Sequence, residues 1–257
     1  MRLPKSLGRM ACLLLGLLVP AGFAQPAIAL PWSQARQVIV VTTDGWDANH
    51  ATLQTFARRS GGPWKARTAP VSVVIGRNGS AWGLGLHPAQ TDGPLKHEGD
   101  GRSPAGVFDI GEAFGYAASA RTALPYKAMQ PSSYCMDVVD SPLYNRIVDA
   151  RDVGEKAVTG STEPMRLDLR TPGDMRYRTG FVIANNPRNQ PGMGSCIFAH
   201  LQGPDGKPTA GCTAMSDAQM QGLFKWLRPA KHPVFVLMPK AQYAGLQRAW
   251  DLPEIIP

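Results

Sequence analysis

Short apolar runs rich in β-branched residues alternate with turn-rich polar stretches along the chain. Residues 37–43, Gln-Val-Ile-Val-Val-Thr-Thr, read as a strand, and Asp47 follows as an N-cap for a short helix through residues 52–57. Val71-Ser-Val-Val-Ile75 reads as a second strand. Asn78-Gly79 supplies the positive φ of a tight hairpin, with residues 82–86 as the returning strand. Residues 88–106 hold many Gly, Pro and charged side chains and predict a long surface loop of the kind that often carries function. Further strands are expected at 107–110, 136–139, 146–149, 181–184 and 234–238. The best helix spans 216–227, with a Ser216 cap and Met220, Leu223, Phe224 and Leu227 at helical spacing, and a terminal helix is expected over 241–250. No internal repeat or linker divides the chain. The expectation is a mainly β, sandwich-like single domain over residues 30–257 with a few peripheral helices.

Composition agrees. Gly (27) and Pro (23) make up about a fifth of the 257 residues, as in folds of many short strands joined by turns, and argue against a helical bundle. Arg2, Lys5 and Arg9 precede the apolar run 11–19, and small residues follow up to Ala29, so residues 1–29 read as a secretory signal. An exported protein of the periplasm or cell envelope is expected, with no integral membrane segment after cleavage. Cys12 leaves with the leader. The remaining chain has 24 basic against 19 acidic residues. Arg58-Arg59 is the only adjacent basic pair, so no nucleic-acid footprint is present, although an anionic polymer is a compatible partner. A monomer is expected.

Three cysteines remain, which in an oxidising compartment means one pair and one free thiol. Cys212 follows a glycine and lies four residues ahead of the Ser216 cap, among small neighbours that leave its sulfur approachable. The amides of Gly211 and Cys212 are candidate oxyanion donors. Cys135 and Cys196 lie in strand-like contexts, so we pair them and leave Cys212 free. An ordinary thiol is only a few per cent ionised at neutral pH, so a nucleophilic Cys212 needs a base. His200, at the end of an apolar run whose loop returns to Cys212, is the candidate. A core histidine beside a buried unpaired thiol is the alternative on spacing alone. His50, His87, His97 and His232 show no metal-ligand spacing, and Gly99 and Gly101 lack the strand and helix of a phosphate loop, so neither metal nor cofactor is expected.

Ile197-Phe-Ala-His200 with Thr209-Ala-Gly-Cys212 resembles the signature of the L,D-transpeptidase catalytic domain (YkuD type). Lys96-His-Glu-Gly-Asp-Gly-Arg-Ser-Pro-Ala-Gly-Val-Phe108 is similar to a second block of that family, and residues 141–148 and 194–198 are similar to an exported branch of it. The resemblance covers roughly residues 37–239. It implies a cysteine acyl transferase acting on peptidoglycan stem peptides, with Cys212 as nucleophile, His200 as base and the Leu201 carbonyl orienting the imidazole. Water as acceptor would instead give a carboxypeptidase or endopeptidase, and a wall-binding module without catalysis is the reading from another class. Many members carry His before the Gly-Cys and Arg two residues after the Cys, where this chain has Ala210 and Ala214. That departure points to a crosslink other than the common 3-3 type, with 1-3 as the candidate. Thr209, Thr213, Tyr144, Asn145 and Arg102 are candidate substrate contacts. Arg102 with Asp100 reads more readily as a tie within its loop, and Tyr144-Asn145 as easily as packing.

Overall fold

A computed structural model describes Met1 and residues 29–255. Residues 2–28 of the expected leader, Cys12 among them, lie outside the described residues. The strands are β1 (Gln37–Thr43), β2 (His50–Ala57), β3 (Lys65–Ala66), β4 (Val71–Val74), β5 (Ser80–Trp82), β6 (Ser103–Gly115), β7 (Tyr126–Ala128), β8 (Ser133–Cys135), β9 (Ile147–Asp149), β10 (Glu163–Pro164), β11 (Thr179–Ile183), β12 (Phe198–Leu201), β13 (Thr213–Met215) and β14 (Val234–Pro239). The helices are α1 (Ala150–Val153), α2 (Leu167–Arg170), α3 (Asp217–Trp226) and α4 (Lys240–Leu246).

The large sheet runs β1-β14-β6-β11-β12-β13-β4-β2 and closes on itself through the β1–β2 pairing, so that β1 is flanked on both sides. This explains why all seven residues of β1 are buried and why Val38–Val41 is an unbroken apolar, β-branched run rather than an alternating one. The main core cluster packs on both faces of this sheet and includes Val38, Val40, Phe108, Phe181, Phe235 and Leu237. Helix α3 covers the core with Met220, Leu223 and Phe224. It begins with a capping box in which Ser216 Oγ accepts from the Gln219 amide while the Gln219 side chain accepts from the Ser216 amide.

Six local expectations change. Residues 50–57 form a strand, not a helix, because Thr52 and Leu53 sit in register between β1 and β4 and Phe56 between β1 and β3, and pairing on both edges outweighs local propensity. Asp47 therefore caps nothing. The turn at Gly76–Gly79 is present, with the Gly79 amide 2.8 Å from the Gly76 carbonyl and Gly79 at φ +84°. Yet β4 and β5 do not pair as a hairpin, since β5 runs parallel to β6 while β4 joins β2 and β13. Of the expected returning strand 82–86, only Trp82 is extended, as the last residue of β5. The strand expected at 136–139 lies at Ser133–Cys135, and the long loop ends at Ser103, where β6 begins. The terminal helix stops at Leu246 and continues as turns.

A second, three-stranded sheet, β10-β8-β9, makes a small lobe on the same face as β12 and β13. Cys135, on β8, forms a disulfide with Cys196 immediately before β12. The bridge ties the lobe to the strand that carries His200.

Candidate active site

Strands β12 and β13 run parallel, with His200 opposite Ala214. Side chains alternate faces along a strand, so Cys212, two residues before Ala214, shares a face with His200. Both open into one cleft of about 950 Å³. Cys212 is the sole free cysteine among the described residues and is buried. Its Sγ receives the Phe198 amide at 3.3 Å and lies 3.5 Å from the Cys196 carbonyl. His200 Nδ1 donates to the Leu201 carbonyl at 2.8 Å, which leaves Nε2 as the acceptor nitrogen.

Burial dominates the electrostatics. It pushes the Cys212 thiol up to about 12, helped by the Glu163 charge and opposed by the Phe198 amide, Lys96 and Arg176. It pushes the His200 imidazole down to about 4, against the Leu201 bond that favours the charged ring. At neutral pH the pair rests as neutral thiol and neutral imidazole.

The turn before Cys212 is built by two hydroxyls. Thr209 Oγ1 donates to the Cys212 carbonyl at 2.6 Å and accepts the Gly211 amide at 3.1 Å. Ser103 Oγ, fully buried, accepts the Gly76 amide at 2.9 Å and faces the carbonyls of Gly211 and Cys212 at 2.7 and 3.1 Å. The Gly211 amide is thus already bonded, which corrects its assignment as an oxyanion donor and leaves the Cys212 amide as the remaining candidate of the two.

Thr209 lies on the cleft, but its hydroxyl shapes the turn and is not free for substrate. The other proposed contacts are not brought to the cleft. Thr213 is buried on the opposite face of β13 from Cys212 and Ala214, as alternation requires. The Arg102 side chain reaches away, to the carbonyls of Trp46 and Ser80 and to Asp47 at 2.6 Å, while its amide donates to Asp100 Oδ1 at 2.8 Å, so the residue ties its loop as the second of its two readings expects. Asp100 also accepts Lys96 Nζ at 2.5 Å and the His97 amide. Tyr144 is buried and donates its hydroxyl to Glu98 Oε2, which also accepts Ser195 Oγ. Asn145, at φ +61°, bonds the carbonyls of Asn185 and Asn186 and accepts the Cys196 amide at 2.9 Å. Tyr144 and Asn145 therefore brace the segment before β12 and do not line the groove.

The lobe adds residues that the sequence did not single out. Glu163, on β10 and opposite Cys135, faces the cleft, and its Oε1 accepts the Tyr177 hydroxyl at 2.5 Å. The Tyr177 ring packs edge-on to His200 at 5.2 Å between centroids. Arg176 also faces the cleft but is held by Asp174 through two nitrogens. Glu163 and Tyr177 lie in no periodic pattern and no motif, and only the fold brings them to Cys212.

No group of three or more metal-ligating side chains occurs among the described residues, and no described helix is long and apolar enough to cross a membrane. Searches of curated proteins and of solved structures return no match. The family model of the YkuD L,D-transpeptidase catalytic domain matches residues 47–236, from the turn after β1 into β14.

Proposed function

Because the chain belongs to the L,D-transpeptidase catalytic domain family, we propose that it is a cysteine acyl transferase acting on peptidoglycan stem peptides. The observation that carries this reading is that one cleft holds both the free Cys212 thiol, immediately before β13, and an imidazole on the adjacent β12 whose Nδ1 is fixed on Leu201. In acylation, a bond forms between Sγ and the donor carbonyl carbon and the carbon–nitrogen bond breaks. The thiol proton passes through His200 Nε2 to the leaving amine. In deacylation, an acceptor amine forms the new amide, the carbon–sulfur bond breaks, and a proton from the amine returns through His200 to Sγ. The neutral resting pair suits this cycle, since His200 starts each half with an open lone pair.

Ala210 and Ala214 leave the cleft without the His and Arg of many family members, and we assign the chain to a 1-3 crosslink on that ground. The leader-like residues 1–29 support action outside the cytoplasm, in the periplasm or cell envelope. Incubating the protein with muropeptides tests the function: crosslinked dimers are expected, and trimmed monomers alone would make it a carboxypeptidase. Cys212→Ala should abolish dimer formation, and His200→Ala should reduce it by about 10² to 10⁴-fold. Residual activity of Cys212→Ala within about tenfold of wild type removes Cys212 as nucleophile.

A further inference from the structure

The proton count of the second half-reaction is incomplete. His200 relays one proton from the attacking nitrogen to Sγ and is then neutral again. An alkyl amine arrives in water as its ammonium, which carries one proton more and has no lone pair with which to attack. That proton has to leave before attack, and a base beside the thioester can take it there.

We propose that the Glu163 carboxylate binds the acceptor's ammonium group and takes its surplus proton, so that Glu163 is a second catalytic base specific to the amine-transfer step. This rests on the acyl-transfer reading above. Glu163 lines the same cleft as Cys212 and His200 and makes no ion pair among the described residues. Arg176, the nearby cation, is committed to Asp174. Tyr177 donates to Oε1 alone and braces the carboxylate from the side that touches His200. The remaining charged neighbour is Asp137, which is tied to the amide and hydroxyl of Thr162.

A carboxylate in this position is otherwise counterproductive. Its charge raises the thiol's pKa and so opposes nucleophile formation in the free protein. A cation brought by the substrate removes that opposition. Burial raises the Glu163 carboxyl to about 7, chiefly by desolvation and against the Tyr177 bond, which suits a group that must accept a proton from an ammonium and lose it to water near neutrality. The balance then closes. Ammonium and carboxylate become amine and carboxylic acid, the amine displaces Sγ through His200, and Glu163 returns its proton to solvent.

The test is Glu163→Gln, which keeps the side chain's size and an acceptor for Tyr177. The thioacyl enzyme is formed with a stem peptide donor, confirmed by intact mass, and discharged with either a diamino acid peptide or hydroxylamine, which is neutral at neutral pH. Discharge to the ammonium acceptor should fall by about 10² to 10⁴-fold. The deficit should be confined to acceptors that arrive charged and should shrink as pH rises toward the acceptor amine's own pKa. An undiminished rate with the ammonium acceptor, or an equal deficit with hydroxylamine, overturns the role of Glu163. Absence of any thioacyl adduct on the wild-type protein overturns the parent reading instead.

Discussion

Raising the pH on the free protein should show Cys212 as an unusually unreactive thiol. An ordinary cysteine, with a pKa of about 8.5, is about 3% thiolate at pH 7, whereas a thiol at about 12 is ionised to about one part in 10⁵. The ratio is roughly 3,000-fold in the reactive species. His200 gives no relief, because an imidazole held down to about 4 supplies no cation to stabilise a thiolate at neutral pH. Alkylation of Cys212 by iodoacetamide, followed by peptide mass, reads this directly, since Cys212 is the one free thiol among the described residues when the disulfide is intact. The slope is the diagnostic and not the absolute rate, which burial slows for steric reasons as well. The rate should climb about tenfold per pH unit from pH 6 to about 10, without a plateau. A plateau starting near neutrality would show a thiolate–imidazolium pair at rest and refute the neutral ground state.

Other outcomes follow from the same geometry. The Cys135–Cys196 bridge spans 61 residues, for which the chain-entropy relation gives about 4 kcal/mol, so replacing both cysteines with serine should lower Tm by about 10 °C in calorimetry; an unchanged Tm counts against a stabilising bridge. The Glu163 carboxyl, at about 7 when folded and lower when unfolded, contributes most to stability below its unfolded pKa, and that contribution is lost as pH rises through 7. Glu163→Gln should therefore melt higher than wild type at pH 8, by up to about 3 kcal/mol of stability, with the gain vanishing near pH 4; a gain independent of pH would show a cause other than titration. Ser103→Ala strands the buried Gly76 amide and frees two carbonyls of the Cys212 turn, so about 1–3 kcal/mol of stability and much of the acylation rate should be lost, while wild-type kinetics would detach Ser103 from the turn's geometry.

What the sequence revealed and what it hid divide along contact range. β1, β14 and α3 were readable because a buried strand or an amphipathic helix writes its environment into its own residues. The free Cys212 and the Cys135–Cys196 bridge were readable because three thiols leave one unpaired and the small-residue turn ahead of the Ser216 cap marks Cys212 as that one. β2 was misread because Thr52–Ala57 owes its extended form to partners on two other strands. The substrate contacts were misplaced for a related reason. Residues close in sequence to motif segments tend to brace those segments, as Tyr144, Asn145 and Arg102 do here, or fall on the far face of a strand, as Thr213 does. Glu163 shares the thiol's cleft through its pairing with Cys135 on β8, whose disulfide ties the lobe to the segment before β12, an arrangement that no local window contains.

The high pKa of Cys212 also resolves a chemical conflict within the site. Its sulfur touches the carbonyl of Cys196, whose own sulfur is half of a disulfide. Thiolates, not thiols, attack disulfides, so a permanently ionised Cys212 beside this bridge would invite exchange and the loss of its own nucleophile. Desolvation prevents that by keeping the proton on sulfur, and the Glu163 charge acts in the same direction. The cost is a slow nucleophile in the free protein. It is offset only when a donor carbonyl is in place, because the proton can then move to His200 Nε2 as the carbon–sulfur bond forms. Burial, the neighbouring bridge and the unpaired carboxylate thus favour one order of events, in which ionisation accompanies attack and does not precede it.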